Sequence, residues 1–109
     1  MTLVYWLVRL KPGATAEDYQ AFVRRVDYPA VARIASIRSY RSTRVAGTLP
    51  AEHRVPFDFI DVVETDDLQA YLRDLETHPA VLEVHSQSPN MVEVLHCVIA
   101  EPVAPNGPT

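Results

Sequence analysis

Two stretches of the chain repeat each other. Glu17-Asp18-Tyr19-Gln20-Ala21-Phe22-Val23-Arg24 aligns with Asp66-Asp67-Leu68-Gln69-Ala70-Tyr71-Leu72-Arg73, and one inserted residue later Tyr28-Pro29-Ala30-Val31 aligns with His78-Pro79-Ala80-Val81. Asp, Gln, Ala and Arg coincide in the first block and Pro-Ala-Val in the second. Any two amphipathic helices share an apolar pattern. They do not ordinarily share a helix-interrupting Pro-Ala-Val at nearly the same offset. The repeat therefore reads as duplication or strong pseudo-symmetry, and the fold should consist of two like halves.

Each half opens with a strand. Leu3 to Leu10 is β-branched and aromatic and stops at Lys11-Pro12-Gly13, a turn signal. Thr15 is suited to cap a helix whose first turn holds Glu17 and Asp18, and Tyr19, Phe22, Val23 and Val26 space its apolar face. Pro29 should interrupt that helix at about Asp27-Tyr28, with a short second piece from Pro29 to Ile34. Ile37 to Val45 alternates as strand two, Gly47 to Pro56 is a polar loop, and Phe57 to Glu64 is strand three. Thr65-Asp66-Asp67 caps a helix with Leu68, Tyr71, Leu72 and Leu75 on its apolar face; Pro79 interrupts it before a piece carrying Val81, Leu82 and His85. Val94 to Ala100 is strand four, and the tail from Pro102 should fray.

Two strand–helix–strand halves give an α+β, ferredoxin-like βαββαβ domain over residues 1–101, with residues 102–109 as a tail. The expected sheet is four-stranded and antiparallel, with both helices on one face. Strand one is apolar on both sides, so the other face needs a cover. The chain has no element left to supply one. A homodimer, two sheets back to back as a dimeric α/β barrel, is the natural answer.

Composition narrows the function. The net charge is −4, so a polynucleotide partner is not expected, although Arg33, Arg38, Arg41 and Arg44 cluster in sequence. The single cysteine, Cys97, cannot pair within the chain, which suits a reducing, cytoplasmic setting. No apolar window approaches the roughly 18 residues of a membrane span. There is no Cys-x-x-Cys or His-x-x-x-His, and only three glycines, so neither a metal nor a nucleotide cofactor is expected.

The residues that differ between the matched halves are candidates for chemistry. His78 and Tyr28 each precede the shared proline, so they stand as a candidate acid or base and a candidate hydrogen-bond donor. The plainer readings are an N-cap histidine and a packed aromatic. Asp27 beside Tyr28 reads as a C-terminal or capping residue in preference to a base. Trp6 shares a strand face with Val4, Val8 and Leu10 and offers either a flat wall to an aromatic ligand or plain core packing. His96, in a row with Val94 and Val98, is a pocket base or an interface histidine. Arg38 and Arg41 can hold an anion or make dimer ion pairs with Asp58 or Asp61. His85 and Asn90 can edge a cavity mouth or simply face solvent.

Leu10-Lys11-Pro12-Gly13, Val26-Asp27-Tyr28-Pro29-Ala30, Ser36-Ile37-Arg38-Ser39-Tyr40-Arg41 and Pro56-Phe57-Asp58-Phe59-Ile60-Asp61 together resemble the REDY-like (HapK) family over roughly residues 3 to 100. The resemblance implies the dimeric α/β-barrel superfamily and an association with prodigiosin-type pigment biosynthesis. It also implies a ligand site between sheet and helices. Plant polyketide cyclases of the superfamily carry His-Pro-Ala-His with a catalytic second His. Here that position is Val81, so their mechanism does not transfer. The expected function is cofactor-independent proton transfer (cyclisation, condensation or isomerisation) on a largely apolar polyketide- or pigment-like metabolite. The alternatives are a non-catalytic ligand-binding dimer and a cofactor-free monooxygenase using Trp6, Tyr28 and Asn90.

Overall fold

The structure, a computed structural model, describes residues 1–106. It runs β1 (Thr2–Leu10), α1 (Ala16–Phe22), a π-helical turn (Val23–Asp27), α2 (Tyr28–Val31), β2 (Ser39–Arg44), β3 (Phe59–Thr65), α3 (Leu68–Thr77), α4 (Pro79–Gln87), a 3-10 turn (Ser88–Asn90) and β4 (Val92–Ala100). The strands form one antiparallel sheet in the order β2-β3-β1-β4, with helices on one face. This is the expected ferredoxin-like arrangement. The strand ends differ from the sequence reading by two residues or fewer, as element ends commonly do. The expectation of a frayed tail falls in part on residues 107–109, which lie outside the described residues.

Local chemistry explains the boundaries. After β1, the Ala14 N–H bonds the Lys11 carbonyl at 3.0 Å, closing a turn with Pro12 and Gly13 at its centre. Gly13 has φ +88, a conformation that a side chain would strain. Thr15 accepts from the Asp18 N–H at 3.1 Å, and Asp67 accepts from the Ala70 N–H at 3.0 Å, so both expected caps form.

The two prolines act differently. In the second half the chain does break: His78 is extended (φ −71, ψ 127) between α3 and α4. In the first half the helix runs on through Pro29 without interruption, contrary to the sequence expectation. A proline lacks an N–H, and its ring would strike the carbonyl four residues back, here Arg25. The preceding turn widens instead: the Tyr28 N–H reaches the Val23 carbonyl, five residues back. The wider turn accommodates the proline without ending the helix.

The helix-facing side of the sheet carries Val4, Trp6 and Val8 from β1, Phe59, Asp61, Val63 and Thr65 from β3, and Tyr40 and Ser42 from β2. Phe22, Tyr19 and Val23 pack onto Val8 and Phe59, with the Tyr19 and Phe59 rings edge-to-face at 4.7 Å. A second cluster joins α2 to α4 through Ala30, Ile34, Ala80 and Val81. The repeated Pro-Ala-Val segments thus pack their alanines against each other's helix. The opposite sheet face carries Leu3, Tyr5, Leu7, Ile60 and Val62, and among the described residues no helix lies over it. Among the described residues, no helix is long and apolar enough to cross a membrane.

Candidate functional site

Between the sheet and the helices lies a cavity of about 120 Å³, close to the size that holds a single aromatic ring. Its wall is mostly aliphatic and aromatic, with Trp6, Tyr19, Tyr40 and Tyr71 supplying the rings that also carry polar atoms. Two carboxylates, Asp27 and Asp61, reach it from opposite sides, one from the π turn and one from β3.

Asp61 is 4 % exposed on the apolar face of β3, and it survives there because both oxygens are occupied. Tyr19 donates its phenol proton to Oδ2 at 2.8 Å, and Ser42 donates to Oδ1 at 2.5 Å. Burial raises its pKa, and the hydroxyl donors pull it back in part. Asp61 therefore anchors β2, β3 and α1 to one another.

Asp27 is different. It is 7 % exposed, and its Oδ2 accepts the Tyr40 phenol at 2.5 Å. Among the described residues its Oδ1 has no hydrogen-bond partner, yet no fully buried side-chain oxygen is left unsatisfied. Oδ1 therefore keeps some accessible surface, and Asp27 is one of the residues that line the cavity. Burial, opposed by the Tyr40 hydrogen bond and helped by the nearby Asp61 charge, pushes the Asp27 carboxyl up to about 6. Tyr40, bonded to Asp27, also faces Asp61; burial and the two carboxylates hold its phenol strongly protonated.

A third polar point faces the cavity from α3. The Trp6 Nε1–H donates to the Tyr71 hydroxyl at 3.2 Å, and among the described residues nothing accepts the Tyr71 proton. Burial raises the Tyr71 pKa, so the phenol stays a donor. His85 on α4 lies edge-on to Trp6, with ring centres 6.4 Å apart, and partial burial lowers its pKa.

Of the residues nominated from the sequence, Trp6 and His85 come together on the cavity wall. The others do not. The His78 Nδ1 accepts the Ala80 N–H at 3.0 Å, which is the N-cap of α4. Tyr28 is 39 % exposed, its hydroxyl accepts the Ser42 N–H at 3.2 Å, and its ring lines a small outer groove instead. The symmetry argument for this pair fails because one proline breaks its helix and the other does not. Arg38 is exposed and pairs with Asp66 at 3.4 Å, an ion pair worth at most about 1 kcal/mol. Arg41 pairs across to Val62 and shares its side, the uncovered sheet face. Asp58 accepts the Leu10 N–H at 2.8 Å through one oxygen, and Asp61 is buried at the cavity with a hydroxyl on each oxygen, which keeps Asp61 from a dimer ion pair. Asn90 is exposed in the 3-10 turn outside the cavity wall.

His96 is moved by a bulge. The β1–β4 register slips between Leu7 and Val8, so Leu7 faces His96 while Val8 faces Val94. One extra residue on β4 separates the two stretches. Val94 therefore stays on the cavity side, and His96 and Val98 turn to the uncovered face with Leu7 and Tyr5. The expected common row of the three does not form.

The residues of this wall that the sequence reading did not nominate are Tyr40 and Tyr71, together with Asp27 and Asp61, which it read as a capping residue and an ion-pair partner. Asp61 carried a signal: it has the strand parity of Phe59 and Val63, so a carboxylate was written onto an apolar face. Asp27 carried none, because its direction depends on the π turn.

The chain matches the family described as REDY-like protein HapK over residues 2–103. No curated protein matches it. Similar solved structures include HapK from Hahella chejuensis (TM-score 0.79, 21% identity, covering 94% of this chain and 93% of that one). A dimeric ferredoxin-like protein of unknown function from Bacteroides fragilis aligns with TM-score 0.68 at 16% identity, covering 92% and 94%. A putative antibiotic biosynthesis monooxygenase from Chloroflexus aurantiacus aligns with TM-score 0.67 at 13% identity, covering 97% and 96%. At these identities the likenesses concern the fold.

Proposed function

The chain belongs to the REDY-like HapK family, and from that premise we propose that its sheet–helix cavity binds a small, largely apolar metabolite and moves a proton on it, with Asp27 as the base. One observation carries the reading. A carboxyl more than nine-tenths buried lines an apolar cavity, with one oxygen on Tyr40 and the other without a hydrogen-bond partner among the described residues. A group with a pKa of about 6 is ionised at neutral pH and still holds an appreciable affinity for a proton, the compromise that general acid–base catalysis favours.

The remaining parts follow from position. Tyr40 fixes the carboxylate by donating to Oδ2 and keeps its own proton throughout. Tyr71, steadied by Trp6, offers a donor to an oxygen or nitrogen of the ligand from the far wall. His85 stands beside Trp6 as a neutral imidazole at pH 7. Asp61 holds the frame with a hydroxyl on each oxygen, which leaves Asp27 the better placed base.

A ring-sized carbon acid tests the reading without knowledge of the natural substrate. 5-Nitrobenzisoxazole opens on loss of one proton and is followed by absorbance. Ring opening should exceed the buffer rate, rise with pH through about 6, and vanish in Asp27→Asn. Equal rates in the two proteins would leave Asp27 without a catalytic part. Binding of the compound to Trp6's cavity with no opening would favour a carrier that binds without conversion.

We further propose that a second copy covers the open sheet face. That face presents Leu3, Tyr5, Leu7, Ile60 and Val62, with Val98 46 % exposed at its margin, and a row of this kind is costly to leave in water. The Bacteroides fragilis relative is described as dimeric. Light scattering should give about twice 12.2 kDa at micromolar concentration; a stable monomer would refute the dimer.

A further inference from the structure

We infer that the cavity selects an organic cation, a ring-sized group bearing a protonated or N–H-donating nitrogen, over neutral and anionic molecules of the same shape. The inference rests on the reading of this cavity as a ligand site and adds the charge of what it takes.

The wall is one-sided in charge. It holds two carboxylates, and among the described residues none of the ten lysines and arginines lines it. Two strand arginines are engaged elsewhere: Arg44 reaches Gln20 at 3.1 Å and Glu17 at 3.4 Å, and Arg38 pairs with Asp66. An anion entering this space would meet Asp27 and Asp61 with no cation to offset them. A positive nitrogen would meet the reverse.

Each Asp61 oxygen already accepts a hydroxyl, from Tyr19 or Ser42, so the oxygen left without a partner for a ligand is Asp27 Oδ1. One open carboxylate oxygen suits one N–H donor and would leave half of a bidentate guanidinium or amidinium unpaired. Around it stand Trp6, Tyr40 and Tyr71, whose ring faces attract positive charge. The aromatic lining and the open carboxylate oxygen are separate features, on different elements, and both favour the same sign. An ammonium gives up strong hydration on entry, and these two features are what replace it.

Trp6 is the single tryptophan of the chain and lines the cavity, so its fluorescence reports occupancy directly. Benzylamine, benzyl alcohol and benzoate share a ring and differ in charge. At pH 7.5 the quenching affinities should fall in that order, with benzylamine roughly tenfold or more ahead of the alcohol, the range expected of a charge-assisted hydrogen bond. Asp27→Asn should bring benzylamine down to the alcohol's level. Tyr40→Phe, which keeps the carboxylate and frees its second oxygen, should preserve or widen the preference, and circular dichroism verifies that both variants fold. Tighter binding of benzyl alcohol or benzoate, or a preference for the amine that survives in a folded Asp27→Asn, would overturn the assignment of charge while leaving the cavity a binding site. No quenching by any of the three at millimolar concentration would overturn the ligand-site reading itself.

Discussion

A carboxylate held in an apolar cavity should make the protein less stable at neutral pH than it is in acid, and replacing Asp27 should remove that penalty. The carboxyl has an ordinary value of 3.8 and stands at about 6 in the fold. The sign follows from the protons bound. Below 3.8 the group is protonated whether folded or not, and it costs nothing. Between 3.8 and 6 the unfolded chain releases its proton while the fold retains it, so stability falls as pH rises; above 6 the loss is complete. At about 1.36 kcal/mol per tenfold change in acidity, the full loss is about 3 kcal/mol, and access of water to Oδ1 brings it nearer to about 2. Asn at this position stays neutral at every pH and its carbonyl still accepts the Tyr40 proton. Asp27→Asn should therefore exceed the parent by about 2–3 kcal/mol at pH 7.5 and by almost nothing near pH 3.8, against a total stability on the order of 5–15 kcal/mol. Urea unfolding of both proteins across this range, analysed as the difference between them, cancels the titrating groups that do not couple to Asp27 and leaves Asp61 as the neighbour that does, and an unchanged slope verifies the comparison. A difference that is flat with pH would show that Asp27 does not titrate in the window and that the carboxylate is not held against the cavity. Stability given up at one group is the expected signature of a residue kept for chemistry.

Three further outcomes follow from the same geometry. Tyr40→Phe removes the donor that restrains Asp27, so the Asp27-dependent change in urea stability should shift to higher pH, with a loss of about 1–3 kcal/mol at pH 7.5. His78→Ala removes the α4 cap and should cost about 1 kcal/mol in the same assay, while Trp6 quenching by benzylamine stays as in the parent. Val62→Glu places a charge in the middle of the open sheet face, next to Tyr5 in the β1–β3 register, and light scattering should then report a 12.2 kDa monomer with the cavity intact.

Much of the fold was legible because it is written in local pattern. The caps at Thr15 and Asp67, the turn at Pro12-Gly13 and the alternation of β3 each act within a few residues. The apolar second face of β1 could be seen from Leu3, Tyr5 and Leu7 alone. The site was mostly illegible, because its bonds join residues far apart in sequence: Tyr19 to Asp61, Trp6 to Tyr71, Tyr40 to Asp27. Two single-residue irregularities also reversed directions. The bulge in β4 turned His96 away from the cavity, and the π turn made a mid-helix, inward-facing group of an apparent capping aspartate. Strand parity was the one unused clue, since it sets Asp61, Tyr40 and Ser42 on the helix side.

The π turn at Val23–Asp27 has a consequence for descent as well as for packing. It spends one residue more than a regular turn. Deleting a residue there would rotate everything after it by about 100° and carry the acid off the cavity wall. The half that bears this turn nevertheless has the shorter spacing between its matched blocks, by one residue, and the longer half ends its helix at the extended His78. A change of length rather than of residue type is thus enough to decide whether a half keeps an acid on the cavity wall or breaks its helix. Relatives compared column by column should carry the equivalent acid one position out of step wherever the turn has closed. The functional divergence of such folds is to be sought in their gaps.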